Sequence, residues 1–115
     1  MFVSDIDRIE AKSIMGNGAK NVRKQVLVGP EQGWQDYVLR RFTLGKDGCS
    51  ALHSHPWQHI VYILEGKGTL FTDGTEYPLR AGSTAYIPPD AMHRLSNAGD
   101  EPFVFLCIVP ACGDR

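Results

Sequence analysis

The sequence predicts an all-β fold, a sandwich or barrel of short antiparallel strands, and three observations carry that expectation. Apolar residues come in runs of five to eight, rich in valine, isoleucine, phenylalanine and tyrosine. Each run is bounded by glycine, proline or aspartate, the punctuation of strands and turns. No segment carries the periodicity of a strong helix. Many short strands joined by glycine-rich turns bury their apolar faces by packing two sheets together or by closing one sheet on itself.

Taken in order, the first 21 residues are the least periodic and contain Gly16-Asn17-Gly18. They read as an N-terminal arm or edge strand that pairs with the sheet or with a second chain, leaving residues 22–115 as the barrel domain. Strands are expected at Val22–Val28, Tyr37–Leu44 and Ala51–His55. Pro56-Trp57-Gln58 then turns the chain, because proline cannot continue an interior ladder, and His59–Leu64 forms the next strand. Gly68–Thr72 and Glu76–Leu79 flank Asp73-Gly74, the usual two-residue hairpin dipeptide. Ser83–Ile87 runs into the rigid turn Pro88-Pro89-Asp90, His93–Ser96 follows, and the longer connection Asn97-Ala98-Gly99-Asp100 leads to Phe103–Val109. There is neither an internal repeat nor a low-complexity tract.

Composition narrows the function. At 115 residues the chain makes one domain around a single core, burying roughly two-thirds of its unfolded surface. Twelve basic and 13 acidic residues are spread evenly to a net charge of -1, so no basic stripe suggests nucleic acid. A small molecule is the expected partner. No stretch approaches the ~20 apolar residues of a membrane span, and charges interrupt Met1 to Arg8 where a signal peptide would be apolar; a cytoplasmic protein is expected. Cys49, Cys107 and Cys112 are odd in number and lack CxxC spacing, so they read as free thiols, with Cys107 a buried hydrophobe or a pocket-lining group.

All four histidines fall in two blocks, His53, His55 and His59 in one and His93 in the other. Imidazole is the commonest ligand for first-row transition metals, so this distribution points to one metal site. In a strand His53 and His55 would share a face about 7 Å apart, near enough to chelate one ion. His59 opens the next strand with Val61 and Ile63 on its face. His93 must arrive from a strand distant in sequence, which a closed barrel makes easy.

Gly48, His53, His55, His59 and Gly66 resemble the first motif of the cupin superfamily, in which a glutamate usually stands where His59 does. Gly82, Pro88, His93 and Asn97 resemble the second motif at every spacing, and fifteen residues separate the two motifs, as in compact bacterial members. Asp90 replaces a usual glycine, and four residues rather than five lie between Gly48 and His53. The run from His53 to His59 is similar to small bacterial cupins with an all-histidine, manganese-containing site. The resemblance implies a double-stranded β-helix with His53, His55, His59 and His93 holding one divalent transition metal per chain. Manganese is favoured, with iron, zinc or nickel as alternatives. Four neutral imidazoles would leave the ion at a net charge of +2, favouring anionic ligands.

Glu65 is ~20 Å along the strand from His59 and cannot join the site, and Asp90 belongs to a turn. Arg40 and Arg41 face opposite ways; one of them entering the barrel would bind a substrate carboxylate. On the last strand either Phe105, Cys107 and Val109 or Val104, Leu106 and Ile108 line the interior, with Phe42, Leu44, Ile63 and Phe71 as further wall candidates. Trp57 would gate the opening or pack under it. By analogy with cupin dioxygenases, the resemblance implies a manganese- or iron-dependent oxidoreductase acting on a small oxygen-bearing molecule, in a homodimer. A non-catalytic binding module and a metal-dependent isomerase of a sugar or keto acid are the rival readings.

Overall fold

The computed structural model describes residues 1–114. Nine strands follow in order: β1 (Lys12–Ile14), β2 (Lys20–Val28), β3 (Tyr37–Cys49), β4 (His59–Glu65), β5 (Lys67–Thr72), β6 (Thr75–Arg80), β7 (Thr84–Ile87), β8 (His93–Asn97) and β9 (Phe103–Pro110). Three 3-10 turns, Ile6–Arg8, Pro30–Gln32 and Ala111–Gly113, are the only helical segments among the described residues. All pairings are antiparallel, in the order β6-β5-β8-β3-β9-β4-β7, with β2 also on β3 and β1 on β2. This is the all-β, nearly closed barrel expected of a double-stranded β-helix.

The 13-residue β3 is the hinge of the architecture. Its first part, Tyr37 to Leu44, pairs with β9 and β2, while Cys49 at its end pairs with Ser96 of β8. One strand thereby carries the chain from one sheet to the other and closes the interior. Strand alternation then sorts the residues: on β4, His59, Val61 and Ile63 are buried while Ile60, Tyr62 and Leu64 are exposed. Leu44, Ile63, Ile87, Phe103 and Val109 are fully buried and form the centre of the core. Pro78 is tolerated because β6 ends the sheet, where the missing N–H leaves no partner unsatisfied.

Three turns show why particular residues are needed. Asp73 and Gly74 have φ of 48° and 80°, and they join Thr72 to its direct partner Thr75, a tight hairpin. Asp90 has φ of 68°, the left-handed conformation that glycine would otherwise supply and that aspartate accepts. Gly66 has φ of 83°, and a Cβ there would strike the Pro102 carbonyl. Asn97 completes the joint: its Nδ2 reaches the carbonyls of Leu44, Gly45 and Glu101, and its Oδ1 accepts from the Gly99 N–H, tying β8 to the bend of β3.

One expectation needs adjustment. Ala51–His55 is not a strand; only His53 bridges to its partner His93, and the residues around it form a loop. Within the first 21 residues lies one short strand, β1, which pairs with β2 of the same chain. Gln25, buried on β2, donates to the carbonyls of Ile6 and Ile9 and so fastens the segment before β1.

Candidate metal centre

The four imidazoles converge inside the barrel from three pieces of chain. His53 and His93 face each other across a two-way backbone bridge, N–H to carbonyl at 3.2 and 2.9 Å. His55 is held by its carbonyl, which accepts from the Asp90 N–H, so the left-handed turn before β8 fixes the loop before β4. His59 is the first residue of β4. Ring centroids lie 4.1 Å apart for His53 and His55, 4.9 Å for His53 and His93, 5.3 Å for His55 and His59, and 4.7 Å for His59 and His93.

The ligand nitrogens of His53, His55 and His93 lie within 4.8 Å of one another, a set that could hold a metal ion. His59 stands beside this group as a fourth imidazole. His93 has its Nδ1 2.9 Å from the Ala91 carbonyl. A carbonyl only accepts, so Nδ1 carries the proton and the Nε2 lone pair is left for a metal. His59 has its Nδ1 3.5 Å from the Cys107 thiol, and its Nε2 is buried with no hydrogen-bond partner among the described residues. A buried nitrogen of this kind is costly unless something occupies it.

Electrostatics suit the same role. Burial pushes the His59 pKa down to about 3 and His53 to about 4, helped by the charges of neighbouring histidines and of Arg40. Burial also lowers His93, opposed by its bond to Ala91. These rings are neutral at physiological pH, the state in which imidazole ligates. The donor set therefore fits a divalent transition metal.

Around the imidazoles is a cavity of about 320 Å³. Trp57 lies flat on His55, with centroids 4.6 Å apart and planes 7° from parallel, and forms part of the wall. Phe42 and Phe105, direct partners on the neighbouring strands β3 and β9, stack at 5.3 Å. Phe105 and Cys107 settle which face of β9 is inward, whereas Leu44 and Ile63 are core rather than lining and Phe71 is in neither group. Arg40 enters the cavity and is 6% exposed; Arg41 points outward to Gln25 and Glu65. Glu65 and Asp90 are both exposed, and neither is among the residues lining the cavity.

Some lining groups had no sequence signal. Ile14, Met15, Gly16 and Asn17 of the arm close one side, and Gly113 of the last turn packs directly against the Trp57 indole. Their roles depend on long-range packing; only the Gly16-Asn17-Gly18 turn hinted at them. Among the described residues that line the cavity there is no carboxylate, and there are two cations, Lys24 and Arg40. Such a cavity favours an anionic or electron-rich guest.

Comparison with known proteins agrees with the fold. The cupin domain family matches residues 40–109. The polyketide synthase CurC of Streptomyces cyaneus is 32% identical over 100 residues, 86% of this chain and 62% of that protein. The chain thus spans less than two-thirds of that relative's length. The glucose-6-phosphate isomerase of Pyrococcus horikoshii is 46% identical over 57 residues, 44% of this chain and 30% of the isomerase. Among solved structures, the polyketide cyclase RemF from Streptomyces resistomycificus superposes with a TM-score of 0.90 at 25% identity, covering 96% of this chain and 80% of RemF. Two motifs at matched spacing, a nearly closed antiparallel barrel and a match across most of it lead to one conclusion: the chain belongs to the cupin family.

Proposed function

We propose that the protein is a metal-dependent cyclase of small polyketones, joining an enolised carbon to a ketone of the same molecule and releasing water. The observation that carries this reading is the imidazole cluster at the wall of an aromatic, carboxylate-free cavity. The similarity to CurC and RemF supports the substrate class. In this reading His53, His55, His93 and His59 hold one divalent transition metal, manganese or iron being the preferred ions. When bound, the ion supplies Lewis-acid charge that favours negative charge on a substrate oxygen.

The chain's own residues supply binding, orientation and exclusion of water. Phe42, Phe105 and Trp57 offer flat apolar faces to a planar conjugated chain, and a cavity of about 320 Å³ falls in the range of small-molecule sites. Burial raises the Cys107 pKa, so the thiol stays protonated and is no general base. A carbon between two carbonyls is acidic enough to lose its proton to water once charge on the oxygen is stabilised. The cyclisation then forms one carbon–carbon bond and protonates the attacked carbonyl oxygen to a hydroxyl, which leaves as water together with a second proton from the neighbouring ring carbon, with no net redox change.

Oxygen-dependent chemistry of the dioxygenase type is the second reading. Imidazoles at these positions would hold a divalent ion whose chemistry, when bound, would include activation of dioxygen beside a substrate oxygen. Incubation of metal-loaded protein with a linear trioxooctanoate, a carboxylic acid carrying ketones at alternate carbons, separates the two. The cyclase reading predicts orsellinate and water under strict anaerobiosis, lost on metal removal. Oxygen uptake without orsellinate would support the dioxygenase, and turnover of neither kind would leave a binding module.

A further inference from the structure

We propose that Arg40 anchors a carboxylate on the substrate, so that the cavity selects planar apolar acids over neutral molecules. This rests on reading the cavity as a substrate chamber, and it names a recognition group separate from the imidazoles.

The guanidinium is buried and its two ends are used unequally. Its Nη1 lies 3.7 Å from the Asp114 carboxylate, and its Nη2 donates to the Cys107 sulfur at 3.1 Å. Sulfur is a weak acceptor. The Nε is buried without a hydrogen-bond partner among the described residues. In a guanidinium, Nε–H and the outer Nη2–H point the same way and form the fork that takes both oxygens of a carboxylate. Among the described residues the fork meets no acceptor stronger than the Cys107 sulfur.

Charge and placement point to the same guest. Asp114 is shared between Lys24, at 2.9 Å, and Arg40, so one carboxylate faces two cations. Among the described residues no acidic group lines the cavity, and Asp114 alone faces the two cations, which leaves one positive charge without a partner there. Burying such a charge is costly until an anion joins it. The Phe42 ring, 5.0 Å from the Arg40 Cζ, holds the guanidinium plane in place. The Cys107 thiol that touches Nη2 also touches His59, so a short acid anchored on the fork lays its body toward the imidazoles. Walls made by Phe42, Phe105 and Trp57 suit an aromatic body and offer a sugar phosphate few hydrogen bonds.

The test is calorimetric titration of the metal-loaded chain at neutral pH with 2-naphthoate, 2-naphthamide and glucose 6-phosphate. The carboxylate is expected to bind about tenfold tighter than the isosteric amide. Arg40→Met should erase that preference while leaving amide binding within about threefold. Arg40→Lys, which keeps the charge without the fork, should retain only part of it. Asp114→Asn keeps Arg40 in place and should strengthen carboxylate binding, which holds the proposal to account if Arg40→Met does not fold. The preference should persist in metal-depleted wild-type protein, where a carboxylate bound at the imidazoles would lose it. Equal binding of acid and amide, binding of neither, a preference that leaves with the metal, an unchanged preference in Arg40→Met, or tighter binding of glucose 6-phosphate would each overturn the assignment. The titration is independent of turnover, so a failed cyclisation assay leaves this result interpretable.

Discussion

Replacing His59 by alanine separates what the fourth imidazole does for the fold from what it does for a metal. In the metal-free protein the change deletes a 6% exposed ring whose Nε2 has no partner among the described residues. Removing an unsatisfied buried polar atom relieves about 1–3 kcal/mol, and the enlarged cavity costs a comparable amount. Metal-free stability should therefore move by no more than about 1–2 kcal/mol. In the loaded protein the balance differs. Even a partner that only supports a metal ligand is worth 10- to 100-fold in affinity, so losing a direct donor should cost at least about 100-fold. With free metal at about 1,000 times Kd, binding adds about 4.1 kcal/mol of stability, and a 100-fold loss leaves about 1.4. The difference of about 2.7 kcal/mol corresponds to about 11 °C in Tm for a domain of this size. Thermal melts of chelated and manganese- or zinc-reloaded protein read it directly. A His59→Ala variant that shows the full metal-induced rise would refute a ligand role for His59.

Three further outcomes follow from the same geometry. His53 and His59 have pKa values pushed to about 4 and about 3, below the ordinary 6.5, so between those limits the unfolded chain binds more protons than the native one. Stability of the chelated protein should fall as pH drops below 6.5, continuing toward about 4 and 3, and urea midpoints unchanged between neutral pH and pH 5 would contradict this. Gly113→Ala would drive a Cβ to 2.6 Å from the Trp57 Nε1 and displace the indole that stacks on His55. It should weaken metal binding by about tenfold, measured by competition with a chromogenic chelator; an unchanged affinity would show that the stack does not position His55. Finally, Leu39, Ile108, Ile60 and Tyr86 are successive cross-strand partners on the outer face of β3, β9, β4 and β7, with Ile60 49% and Tyr86 62% exposed. We propose that a second copy covers this row, since contiguous apolar surface of this kind marks association. Light scattering should give about twice 12.8 kDa, and Ile60→Lys should return the mass to that of one chain; a monomeric wild-type chain would refute it.

Local signals made most of the fold legible. Strands β2 to β9 fall where alternating apolar runs and turn residues place them, and the Asp73-Gly74 hairpin has the positive φ angles its dipeptide demands. The convergence of the four histidines was legible too, because HxH spacing and a distant fourth histidine only make sense around a closed interior. The Ala51–His55 strand was the main misreading. Alternation looks the same in a strand and in a loop pinned at one bridge, and what decides between them is the Asp90 N–H capturing the His55 carbonyl, a contact 35 residues apart in the sequence. The inward turn of Arg40 was equally hidden. Adjacent arginines must face opposite ways, but which one is buried depends on Asp114 and Cys107, both supplied by the far end of the chain.

The central claim is that these imidazoles hold a metal, and elemental analysis of untagged protein purified without chelators tests it most directly. The account predicts close to one divalent transition metal per chain, lost when His53, His55 and His93 are replaced together by alanine. Protein that is folded yet carries no stoichiometric metal, even after incubation with manganese, iron and zinc, or a triple variant that retains it, would contradict the account.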